Sequence, residues 1–271
     1  MPHISNLRAA TKFMLALSVL LFISALSSAA DKTDVLPQYE YSPLENVDTR
    51  IDSLLAQALS ENKLAMIVLG SSWCHDSVGL SKNFSSDAMH KILQDNYKTL
   101  FLDLGYLQDV RYITQRFGYP GYFGTPTVLV IEPNTLSLVN HDEVSKWQSA
   151  NSVPFDEYVS YFSQLKTAEP MSNGEQTTTV TNAQITQFEQ TQIERLFRAY
   201  AILGPLLEAD EKGELENTDD FYKQWSTVYN FRKQLQADLV SLKQQAHLNQ
   251  QNNESSTELE IPEYPAFEWE S

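Results

Sequence analysis

The stretch "VLGSSWCHDSVGLSKNF", Val68 to Phe84, decides the fold. It opens inside "LAMIVLG", Leu64 to Gly70, a continuous apolar run of the length and composition of a strand buried on both faces. The polar "SSWC" follows, and a helix is expected to begin at or just after Cys74. A cysteine at such a junction meets unpaired backbone N–H groups and the positive end of the helix macrodipole. Both favour thiolate over thiol, and only the thiolate attacks a disulfide. Cys74 is also the single cysteine among 271 residues, so an intramolecular disulfide is excluded. It is a buried small apolar residue, a site of intermolecular bonding, or a reactive thiol.

Upstream, "VDTRIDSLLAQALSENK" reads as a helix with Asp48 as its N-cap, because Ile51, Leu54, Leu55 and Leu59 recur at spacings of three and four. Downstream, one helix carries "SVGLSKNF" and a second surrounds "SDAMHKILQDNY". "KTLFLDLG", Lys98 to Gly105, reads as the next buried strand, and "LQDVRYITQRFG" as a helix stopping at Gly118. The turn-rich "GYPGYFGTP" leads into a third strand, "TVLVIEP", and a fourth, "LSLVNHD". "VPFDEYVSYFSQLK" closes this part as a helix opening at Pro154. Helices alternating with buried strands predict an α/β layer domain over residues 44–166, a central mixed sheet flanked by helices.

Residues 167–183 have the small polar composition of a linker. Two long helical patterns follow in 184–248. Ile185, Phe188, Ile193, Leu196, Tyr200 and Leu203 form one apolar face, interrupted at Gly204 and Pro205. Trp225, Val228, Phe231, Leu235, Leu239 and Leu242 form the other, so the pair reads as a helical hairpin. Residues 31–43 read as irregular. The acidic, Pro-containing 249–271 reads as disordered.

The helix, the buried strand, the W-C-x-x junction, the strand "KTLFLDLG" and the "GTPT" before "VLVI" stand in an order that resembles the thioredoxin superfamily. A group of exported bacterial thioredoxin-like proteins has a similar W-C-H-D-S segment. The resemblance covers 44–166 and implies a thioredoxin-like fold. It aligns Cys74 with the family's nucleophile and Trp73 with the aromatic before it. It aligns Thr125 and Pro126 with the pair in which a cis proline faces the thiol and the preceding backbone receives an extended substrate. Trp73 as a packing residue and Pro126 as an ordinary trans turn residue are the competing readings.

Three departures limit what the resemblance carries. Ser77 stands at the family's second cysteine, and a hydroxyl cannot resolve a mixed disulfide. Val68 replaces a buried acid. The loop before Pro126 is enlarged by Tyr119, Tyr122 and Phe123, rings that line a peptide groove or pack in the core. Ser77 is a candidate hydrogen-bond donor to the sulfur or a cap of the helix. His75 and Asp76 act on the thiol with opposite signs, so their net effect is open.

The first thirty residues have the pattern of a secretory leader: Arg8 and Lys12, an apolar run from Phe13 to Leu26, and "SSAA" ending at Ala30. Its removal would take away two positive charges and no negative ones, moving the formal charge from −16 to −18. An acidic chain without a basic stripe excludes nucleic-acid binding as a class. The expectation is a periplasmic protein with no membrane attachment after leader removal, no cofactor and no metal site. Its expected partners are thiol- or disulfide-containing proteins or low-molecular-weight thiols, and dimerisation through the C-terminal helices is an open arrangement. The leading function is monothiol thiol–disulfide exchange at Cys74, as isomerisation, deglutathionylation or client retention. The alternative is a redox-inactive binding or scaffold module. A one-cysteine peroxidase would need an arginine at the sulfur, with Arg111 and Arg116 the candidates nearby in sequence.

Overall fold

In the computed structural model three strands form the sheet among the described residues, and every position of the first is sealed from water. The structure describes residues 39–165, 183–252 and 259–270. The leader segment, and the linker except Ala183, lie outside them. β1 (Leu64–Gly70) occupies the centre, parallel to β2 (Tyr97–Asp103) and antiparallel to β3 (Thr127–Ile131). Alternation along the strands sends Ala65, Ile67, Leu69, Leu129 and Ile131 into one apolar core, and Met66, Val68, Val128 and Val130 into the other.

Both sheet edges shrink to single bridges. On the β2 side Ser42 pairs with Leu102, from a segment expected to be irregular. On the β3 side the expected fourth strand is reduced to the Ile131–Leu138 bridge. The Asn140 side chain replaces it: Oδ1 accepts from Val130 N–H at 2.8 Å and Nδ2 donates to the Val128 carbonyl at 2.9 Å. One buried amide thus satisfies backbone groups that another strand residue would otherwise pair. With these bridges the order is Ser42, β2, β1, β3, Leu138, and the result is an α/β fold, a small mixed sheet flanked by helices, followed by a helical hairpin.

One face is covered by α2 (His75–Phe84), α3 (Asp87–Asn96) and α5 (Phe155–Gln164), with a 3-10 helix over His141–Ser152 that sequence periodicity did not reveal. Its core is aromatic: Trp147 packs on Tyr158 and Phe162 at ring separations of 4.7 and 4.6 Å. The other face is covered by α1 (Val47–Ser60), the short α4 (Arg111–Gln115) and the hairpin of α6 (Ala183–Glu211) and α7 (Thr218–Gln251). The N-cap of α1 is Asn46 rather than Asp48. The helix expected around "LQDVRYITQRFG" contracts to five residues because Leu107 takes a left-handed φ of 62°. Asp109 then accepts the Arg111 N–H and restarts the turn.

Two expectations about the C-terminal part change. α6 runs through Pro205 without ending there. The carbonyl that loses its partner belongs to Ala201, on the exposed side, while Leu203, Gly204 and Leu207 are buried. The segment expected to be disordered is also ordered over 259–270. Leu259 and Phe267 are buried, Tyr264 donates to Asp238 at 2.7 Å, and Arg195 holds Glu270 through two nitrogens. The guanidinium carbon of Arg195 lies 5.0 Å from the Phe231 ring and 4.4 Å from that of Phe267. Aromatic residues scattered in a polar tail did not form a period, so their joint burial was invisible to pattern reading.

Candidate functional site

Cys74 is the N-cap of α2, with φ −86° and ψ 113°. Its N–H bonds the Ser71 carbonyl at 3.2 Å and its carbonyl accepts from Val78 N–H at 3.0 Å, so the turn that carries the sulfur is pinned at both ends. The thiol is half-buried and donates to the Thr125 carbonyl at 3.3 Å. The Thr125–Pro126 peptide bond is cis. Cys74, Thr125 and Pro126 are therefore brought together across 51 residues of chain.

The other candidates divide. Ser77 is fully buried, and its Oγ accepts from Ser71 N–H at 3.4 Å. No hydrogen bond joins that Oγ to the Cys74 sulfur among the described residues, so the expectation of a serine donor to the thiol is not realised. Trp73 sends its indole N–H to the Gly105 carbonyl at 2.7 Å, so that donor is already used by the protein. His75 is exposed and lies 3.4 Å from Asp76, whose other oxygen accepts from Asn151 N–H at 2.9 Å. Asp76 thereby ties the first turn of α2 to the end of the 3-10 helix. Tyr119, Tyr122 and Phe123 belong to the core, and the pocket that Tyr119 borders lies against Arg111, Pro120 and Glu189 and includes neither Cys74 nor Thr125. The three rings are buried beneath the hairpin, where Tyr122 stacks on Tyr200 at 5.2 Å and Gln236 donates to the Tyr119 hydroxyl at 3.0 Å.

Arg111 and Arg116 pair with Asp109 and Asp52, and among the described residues neither makes a hydrogen bond with the thiol. Among the described residues no group of three or more His, Cys, Asp and Glu side chains is placed to hold a metal ion.

Four side chains of this neighbourhood were not assigned to the site from the sequence. Tyr41, in the segment read as irregular, donates to the Ser77 carbonyl at 3.1 Å. Its ring lies so close to Gly70 that a Cβ there would stand 2.5 Å from it and 2.7 Å from Ser77 Oγ. Gly70 is the glycine that lets tyrosine and serine meet behind the thiol. Burial pushes the Tyr41 phenol well above its ordinary range, with Cys74 among the smaller contributions. Gln148 packs on Gly124, next to Thr125, and its Nε2 has no hydrogen-bond partner among the described residues. Trp225 of α7 meets Trp73 edge to face at 6.2 Å. Tyr200 of α6 donates to the Phe123 carbonyl at 2.8 Å and braces the loop that delivers Thr125. Sequence offered no signal for these contacts, since the partners lie up to 152 residues apart in number, as Trp73 and Trp225 do.

No protein-family model and no curated protein matches the chain. Among solved structures the chain is similar to a disulphide isomerase from Xylella fastidiosa Temecula1, with 20% sequence identity and a TM-score of 0.41. That similarity covers 47% of this chain and 94% of the other.

Proposed function

We propose that the protein performs monothiol thiol–disulfide exchange through Cys74. The observation that carries this reading is the half-buried thiol at the N-terminus of α2, 3.3 Å from the Thr125 carbonyl. Residues of a bound chain would pair with the Thr125 backbone while its disulfide approaches the sulfur. The Cys74 thiolate attacks one sulfur of the substrate disulfide, forming a mixed disulfide as the old S–S bond breaks. The leaving sulfur departs as a thiolate and takes a proton from water. A thiol of the substrate, or a small thiol in solution, then attacks the mixed disulfide and returns Cys74 to its thiolate. No electrons are gained or lost by the protein over the cycle.

This chemistry suits isomerisation, deglutathionylation or client retention, because Ser77 has no sulfur with which to release the adduct. The leader-like pattern of residues 1–30 supports export and action in a periplasm, where disulfides persist.

The test is to incubate the chain from residue 31 onward with excess glutathione disulfide and count adducts by mass spectrometry. One adduct per chain, reversed by a small thiol and lost in Cys74→Ala, is the expected result. A thiol that stays unlabelled until the protein unfolds would refute the exchange chemistry and leave the binding module.

A further inference from the structure

Trp73 stands immediately before the nucleophile, and its polar atom is not free for a ligand. Its N–H is bonded to Gly105 and its ring packs against Trp225 at an interplanar angle of 81°. The aromatic surface next to the thiol is therefore made by two elements. Trp225 remains partly exposed, and on the same side of α7 its neighbours Tyr222 and Tyr229, three residues before and four after, are 54% and 41% exposed. The surface thus starts at the cysteine and continues along a helix from the far end of the chain.

We infer that Trp225 is a specificity-determining residue of the Cys74 site, favouring extended polypeptide disulfides with a large apolar side chain close to the reacting cysteine. The inference rests on the exchange reading above and selects a substrate class within it. The Trp73 and Trp225 ring centres are 6.2 Å apart. An extended chain advances roughly 3.3 Å per residue, so a side chain about two positions beyond the one opposite Trp73 reaches the second ring. A folded domain with a buried disulfide cannot lay such a segment along the helix. A disulfide lacking a large apolar side chain gains nothing from Trp225. The preference is assigned to the second tryptophan because its helix carries on into the exposed Tyr222 and Tyr229, whereas the indole N–H of the first is already bonded to Gly105.

The experiment compares blocked tetrapeptides as symmetric disulfides, with glycine or phenylalanine three positions after the cysteine. Second-order rate constants for adduct formation at Cys74 are measured on wild type, Trp225→Ala and Trp225→Phe. An aromatic contact of ordinary strength corresponds to a rate ratio of roughly three- to tenfold in favour of the phenylalanine peptide on wild type. Trp225→Ala brings that ratio to about one, and Trp225→Phe keeps most of it. A wild-type ratio near one overturns the inference without any variant and leaves the exchange reading standing. Equal loss with both peptides in Trp225→Ala also overturns it, because a structural support would act that way. A wild type that reacts with neither peptide overturns the exchange reading itself.

Discussion

The two faces of the sheet are closed by different means. The face with Trp147 is covered by segments that are its sequence neighbours, α2, α3 and α5 with the 3-10 helix, and its rings interlock at 4.6 to 5.0 Å. The opposite face takes α1 and then waits for a hairpin and a terminal strap that arrive after residue 182. Cys74 lies where the two regimes meet. Its turn is held from behind by Tyr41 and Asn151, on the locally built side, whereas its aromatic neighbour Trp73 is completed by Trp225. Local packing fixes where the sulfur is, and distant packing shapes what can approach it.

The sharpest way to break this contrast is Trp147→Ala. Trp147 is fully buried among Tyr158, Tyr161 and Phe162, and its removal leaves a large cavity on the locally built face. The expected loss is about 3–5 kcal/mol, read as a fall in the midpoint of denaturant unfolding with unchanged slope. A loss below about 1 kcal/mol would mean that this face is not the stabilising one.

Gly204→Ala probes the other face with a smaller change. A Cβ at that position would stand 2.3 Å from the backbone oxygen of Tyr106, and backbone cannot swing aside as a side chain can. The expected cost is about 1–3 kcal/mol. The informative signal is tryptophan fluorescence, because displacing α6 also moves α7 and separates Trp225 from Trp73. If stability falls while emission stays native, the hairpin seats Trp225 independently of its contact at Tyr106.

The terminal strap gives the smallest effect, and a pH-dependent one. Its hydrogen bonds to Arg195 hold the Glu270 carboxyl below the ordinary carboxylate range. A folded-state pKa lowered in this way adds stability that is complete above the unfolded value, about 4.3, and is lost as pH falls through the folded one. Trp269 stacks on Phe267 at 4.8 Å beside this pair. Its emission should therefore shift on acidification below about pH 4, ahead of global unfolding. Arg195→Gln should remove that early step, and an unchanged acid profile in the variant would assign the step to another carboxylate.

Much of the layer domain was readable before the structure. β1, the start of α2 at Cys74 and α5 opening at Pro154 fall where apolar runs and turn residues placed them, because these are signals within a few residues of chain. The fourth strand was misjudged because the Asn140 side chain took over hydrogen bonds that a regular strand would have made, and the middle helix because the left-handed Leu107 delays it until Asp109 restarts the turn. The aromatic loop residues could not be assigned between groove and core, since a ring gives the same pattern in either place.

By itself the sequence determined that this chain has one thiol, between a buried apolar run and a helical pattern, with a serine three residues on. Those are properties of residue type and short-range spacing, and no packing can alter them. Tertiary structure alone decided that Ser77 is buried with its hydroxyl oxygen accepting from Ser71 N–H, that Tyr119, Tyr122 and Phe123 are core, and that Trp225 borders the site. These depend on which surfaces exclude water together, and pairs separated by 77 or more residues leave no period for a sequence to display.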